Sequence, residues 1–173
     1  DATHSSFSQK ITGNLPFTNI FHLRPVYYLS LEKSVQIQNW LGLPYDNFTW
    51  VRIQNLVMLL LISLLTGYIV LHTSRRMSLS LIAISSVLLF SNNINNICWT
   101  AARVDLICVL FYLSALYFTI QYCDNKNFLT FCLALISFIL SILTKELAVT
   151  LPIVILLIIY FTKEKEGIKK SKS

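Results

Sequence analysis

The chain has 173 residues, of which 55% are hydrophobic and 13% charged, with a formal net charge of +6 and a mean hydropathy of +0.63. A soluble domain carries about 25% charged residues, so this composition excludes an ordinary water-covered fold. It also excludes a nucleic-acid module, because the basic residues are not pooled with aromatics on one face or arm.

Residues 1–50 form a mixed, aromatic-containing segment without a span. The opening Asp1-Ala2-Thr3-His4 is polar and lacks the basic and apolar regions of a secretory signal, so the chain reads as a piece of something longer. Within this segment lies His22-Leu23-Arg24-Pro25-Val26-Tyr27-Tyr28-Leu29-Ser30. Pro25 suits the first turn of a helix, where its missing N–H is no loss. Tyr28, Leu31 and Val35 fall on one side of that helix, with Glu32, Lys33 and Gln36 elsewhere. This pattern predicts an amphipathic helix lying along a membrane surface. Arg24 at its start is a candidate for bidentate phosphate binding; a solvated arginine is the plainer alternative. Asn47-Phe48-Thr49 is a glycosylation triplet close to the membrane.

Five apolar stretches follow, at 53–71, 77–90, 104–122, 128–144 and 147–161. A crossing needs about 20 residues, which the first and third supply and the others approach only with flanking residues. The expected fold is therefore an all-α integral membrane protein of about five transmembrane helices, with an external N-terminal loop region (1–50). The bundle covers 51–162, and 163–173 is a basic tail. Lys145-Glu146 separates the last two stretches, because one continuous span would carry both charges to the bilayer centre at about 2.5–3.5 kcal/mol each. Arg75, Arg76, Lys126 and the tail lysines share one side by alternation, which marks it as cytoplasmic. The N-terminal segment, 91–103 and Lys145-Glu146 then face the periplasm or lumen. Nearly every residue capable of chemistry lies there: Asp1, His4, His22, Arg24, Glu32, Asp46, Arg103, Asp105, Lys145 and Glu146.

Two of these groupings open or join spans. Arg103-Val104-Asp105 begins the third stretch, and intramembrane ionisable residues are functional candidates; a local ion pair or a snorkelling arginine is the structural alternative. Lys145-Glu146, with Pro152 a turn later, offers an ammonium to a phosphate or serves as a polar hinge. The four cysteines form no CxxC pair and read as small buried hydrophobes. There is no Gly-rich phosphate loop, HExxH or nucleophile elbow.

Taken in order, these motifs resemble the C-type membrane glycosyltransferases that use polyprenyl- or dolichyl-phosphate sugars. The likeness is nearest to the protein O-mannosyltransferases, including the transmembrane ones with tetratricopeptide repeats. The resemblance rests on Arg24-Pro25 to Leu29-Ser30, Gln54-Asn55-Leu56, Trp99 to Arg103-Val104-Asp105, and Lys145-Glu146 to Pro152. It spans roughly residues 20–160.

The resemblance implies transfer of a mannose-like sugar from the lipid-linked donor to a protein or glycan hydroxyl on the external face. Asp1 would be the catalytic base. Arg103, Lys145 and Arg24 would bind the donor phosphate, and Asp105, Glu146 and Asn55 would support them. No cofactor is certain from the sequence, a divalent metal being the single open candidate. The family carries a span before the first external loop and more after the K-E helix, so the chain reads as a fragment or a reduced copy. The rival expectation is a non-catalytic polytopic membrane subunit or scaffold that keeps the fold alone.

Overall fold

The computed structural model describes residues 24–42, 49–90, 97, 99, 102–158 and 160, and among them every regular element is helical. In chain order these are α1 (Pro25–Trp40), α2 (Thr49–Ser74), α3 (Met77–Leu89), α4 (Arg103–Asn125), α5 (Phe128–Thr144) and α6 (Glu146–Ile158). The first turn of α6 is a 3₁₀ helix, Glu146–Thr150.

Local chemistry explains most boundaries. Pro25 occupies the first turn of α1, where a residue without an N–H belongs. Asn127 caps α5, its side chain accepting from the Leu129 amide at 3.0 Å. Two-residue turns join α2 to α3 and α4 to α5, and each places a basic residue in the left-handed region: Arg75 at φ 57° and Lys126 at φ 52°. Lys145 adopts extended backbone between α5 and α6, so the last apolar region is two helices with a break, as the charge argument required. Pro152 lies in the second turn of α6, at the head of its α-helical part.

Each of the five apolar stretches carries one of the helices α2 to α6, with α2 and α4 running beyond the expected 53–71 and 104–122 at both ends. α2, with 26 residues, and α4, with 23, are long and apolar enough to cross a membrane. α3, α5 and α6 are shorter apolar helices. At 1.5 Å per residue, the 13 residues of α3 reach only about 20 Å, against about 30 Å of hydrocarbon.

The helices form two antiparallel hairpins, α2–α3 and α4–α5, joined where α2 packs alongside α4 in parallel. Antiparallel order within the first is marked by Ser80, whose Oγ donates to the Gly67 carbonyl at 2.7 Å. In the second, Ser141 Oγ donates to the Cys108 carbonyl at 3.0 Å. The joint between hairpins is apolar: Leu59 and Ile62 of α2 meet Leu106 of α4, flanked by Val87 and Leu88 of α3.

Elsewhere the interior is small and polar. Asn55, Ser63, Ser80, Thr119, Ser141 and Thr144 are buried. Leu56, Leu60 and Leu64 of α2, and Ile136 and Ile139 of α5, lie on the outside. Small interior residues let helix backbones approach closely, which is how helices associate in lipid, where apolar burial supplies no driving force. Some of their hydroxyls bond within their own helix, Ser63 to the Leu60 carbonyl and Thr144 to the Leu140 carbonyl, whereas those of Ser80 and Ser141 bond across to the neighbouring helix.

α1 forms where expected but packs by its polar side. Ser34 and Gln38 are its buried residues, while Tyr28 is exposed and Leu31 and Val35 only half-buried. Ser30, Ser34 and Gln38 recur every four residues and make a polar stripe against the bundle. Of the three apolar residues of the expected face, Tyr28 is turned outward while Leu31 and Val35 flank the buried Ser34 and Gln38.

Candidate functional site

The starts of α1, α2 and α4, the end of α5 and the start of α6 meet at one end of the bundle. Arg24, Arg103, Asp105, Lys145 and Glu146 are all brought there. Alternating helix direction is the reason: two up-and-down hairpins in parallel bring 24, 54, 103 and 145 to the same level.

The sequence neighbours do not pair with each other. Asp105 turns from Arg103 and binds Lys145 Nζ through its Oδ1. Glu146 turns from Lys145 and lies 3.7 Å from Arg24 Nη2 through its Oε2. The local Arg103–Asp105 pair offered as the structural alternative is therefore not formed. The helical period accounts for this: residues two apart on α4 point to different sides.

Arg103 is left without a carboxylate among the described residues. Its Nη1 donates to Gln54 Oε1 at 2.6 Å and its Nη2 to the Ser30 carbonyl at 3.4 Å. Both partners are neutral, the second bond is long, and the buried Nε has no hydrogen-bond partner. The residue is 4% exposed.

The magnitudes separate these groups. In both ion pairs the side chains keep substantial exposure, 31% and 44% for Lys145 and Asp105. Such pairs contribute about 0–1 kcal/mol and exchange partners readily. An uncompensated buried cation costs several kcal/mol. Arg103 is thus the group whose environment calls for an anion, and its planar fork matches the oxygens of a phosphate.

Gln54 is the site residue that the sequence reading did not single out, although it was quoted beside Asn55. Asn55 is fully buried on α2; its neighbour Gln54 bonds Arg103. Gln54 Oε1 also accepts from Ser34 Oγ at 2.7 Å, tying α1 to α2. The available signals were the four-residue serine spacing in α1 and the adjacent amides Gln54-Asn55 near the start of an apolar helix. Below the site, Cys108 and Ser141 join α4 to α5 one turn from Asp105 and Lys145. Asp1, His4, His22, Asp46 and Asn47 lie outside the described residues. No three His, Cys, Asp or Glu side chains gather as metal ligands among the described ones.

Residues 48–173 match the family described as dolichyl-phosphate-mannose-protein mannosyltransferase. The chain belongs to that family. The match covers α2 to α6 and the tail, including Gln54, Arg103, Asp105, Lys145 and Glu146. No curated protein matches the chain, and no solved structure does. Membership of this mannosyltransferase family agrees with the resemblance drawn from the motifs. It also agrees with α2 and α4 being long and apolar enough to cross a membrane.

Proposed function

We propose that this chain is part of a membrane mannosyltransferase and that the cationic end of its bundle holds the phosphate of a dolichyl- or polyprenyl-phosphate sugar. The observation that supports this reading best is the buried guanidinium of Arg103, which has no carboxylate partner among the described residues and a free Nε.

In the proposed reaction an acceptor hydroxyl attacks the anomeric carbon of the donor sugar. A new C–O bond forms as the bond to the phosphate oxygen breaks, and the lipid phosphate leaves with the electron pair. A carboxylate takes the hydroxyl proton; the family resemblance gives that role to Asp1. Arg103 stabilises charge gathering on the leaving phosphate, which is electrostatic catalysis by a preplaced donor. Lys145 and Arg24 join it by exchanging Asp105 and Glu146 for phosphate oxygens. The site faces the periplasm or lumen in this proposal, with the basic turns and tail on the cytoplasmic side. Residues 1–50 form an external segment before the bundle at 51–162.

The test is Arg103→Gln in the full-length protein, assayed for mannose transfer in membranes. Removing one such preplaced donor typically costs about 10²–10³ in rate. Transfer at the wild-type rate by a folded variant would reject the reading.

A non-catalytic membrane subunit is the second reading. It is favoured by the pairing of Lys145 with Asp105 and of Arg24 with Glu146, which satisfies those cations without any ligand. Unaltered transfer in Arg24→Ala, Arg103→Gln and Lys145→Ala together would leave this reading alone.

A further inference from the structure

Arg103 is held by neutral groups although its position suits a carboxylate. Arginine has only donors, so the Gln54 amide must turn its oxygen toward the guanidinium. That oxygen is fixed from the other side by Ser34, itself 2% exposed. Two donors on one oxygen, from α1 and α4, leave the amide a single orientation. A glutamate here would offer oxygen to the same two donors and also neutralise a buried charge. On stability alone it would be the better residue.

The charges of the site show what glutamine preserves. Among the described residues Arg24, Arg103 and Lys145 face Asp105 and Glu146, so these five carry one net positive charge between them, and it resides on Arg103. A lipid phosphodiester carries one negative charge. A glutamate at position 54 would add a third carboxylate and cancel the cluster's charge at Arg103 itself.

We propose that Gln54 is a positioning residue whose neutral oxygen aims the Arg103 guanidinium while leaving its charge available to a singly charged phosphodiester. This rests on the donor-phosphate reading above. It adds that the identity of residue 54 sets the affinity of the site for that anion.

The experiment uses the full-length protein in phosphatidylcholine nanodiscs, titrated with dolichyl-phosphate mannose, in parallel with thermal unfolding. Gln54→Glu keeps the acceptor oxygen and is expected to hold or raise Tm while weakening Kd by about tenfold or more. Gln54→Met keeps the size and neutrality but loses the acceptor, and is expected to weaken Kd several-fold by releasing Arg103. A purely structural glutamine predicts intact binding as well as intact folding for the glutamate variant. Wild-type affinity in Gln54→Glu overturns the proposal. If that variant does not insert into the membrane, wild-type affinity in Gln54→Met overturns it equally. Arg103→Gln separates the two levels: unchanged Kd there rejects the phosphate site itself, whereas loss there with unchanged Kd at position 54 rejects only the role of Gln54.

Discussion

At the level of single residues, Arg103 is the position where stability and the proposed function diverge most. Its burial without a counter-charge among the described residues is a cost to the fold, since replacing buried ionic groups by apolar ones of similar volume is often stabilising by about 1–4 kcal/mol. Arg103→Met is therefore expected to raise Tm or leave it unchanged while lowering donor binding by about a hundredfold. Calorimetry and a donor titration on one preparation check both halves. A large fall in Tm would mean that the bonds to Gln54 and Ser30 support the fold, and the argument from an uncompensated charge would lose its basis. Asp105 and Lys145 behave differently because they are half exposed. A double-mutant cycle on that pair should return a coupling of about 1 kcal/mol or less.

The helices pair through small residues, and one close approach is at Gly67. A Cβ built there would lie 2.4 Å from Ile84 Cγ1 and 2.5 Å from its Cδ1, inside contact distance, while Ser80 Oγ bonds the Gly67 carbonyl. Gly67→Val should separate α2 from α3 and cost about 1–3 kcal/mol by overpacking. Ile84→Ala in the same chain should return part of that loss, because the clash is with the side chain and not with backbone. Thermal unfolding of the single and double variants in detergent measures it; no recovery in the double variant would place the strain elsewhere. The boundaries of these elements were legible in the sequence because helix caps and breaks are local. Asn127 capped α5, Pro25 opened α1 and Lys145 ended α5 as their chemistry required. The docking side of α1 was not legible, since its polar stripe acquires meaning only from the polar groups it meets on α2 and α4.

For the whole molecule, the alternating directions of α2 to α5 separate two chemically different ends. One holds Arg24, Arg103, Asp105, Lys145 and Glu146; the other holds His72 bonded to Asp124 at 3.1 Å, with Arg75, Arg76 and Lys126 at the turns. Single cysteines replacing Trp99 and Leu147, in a background without the native cysteines, are expected to react with an impermeant thiol reagent from one compartment. Cysteines replacing Arg75 and Lys126 are expected to react from the other. Labelling of both sets from the same compartment would refute the crossing pattern and the proposed external site together.

The sequence by itself determined that this protein is helical, where its apolar helices lie, and that its outer surface suits lipid. Those properties follow from runs of side chains and from caps within a few residues. The motifs also carried the family, and with it the expectation of a lipid-phosphate donor. Only the tertiary structure decided who pairs with whom. Arg103 meets Gln54 across 49 positions and Lys145 meets Asp105 across 40. Helices apolar nearly all round carry little periodic signal of their rotation, so the register between them is set by close packing at Gly67, Ser80, Cys108 and Ser141. That register separated each cation from its neighbour in sequence and left one guanidinium buried without a counter-charge among the described residues.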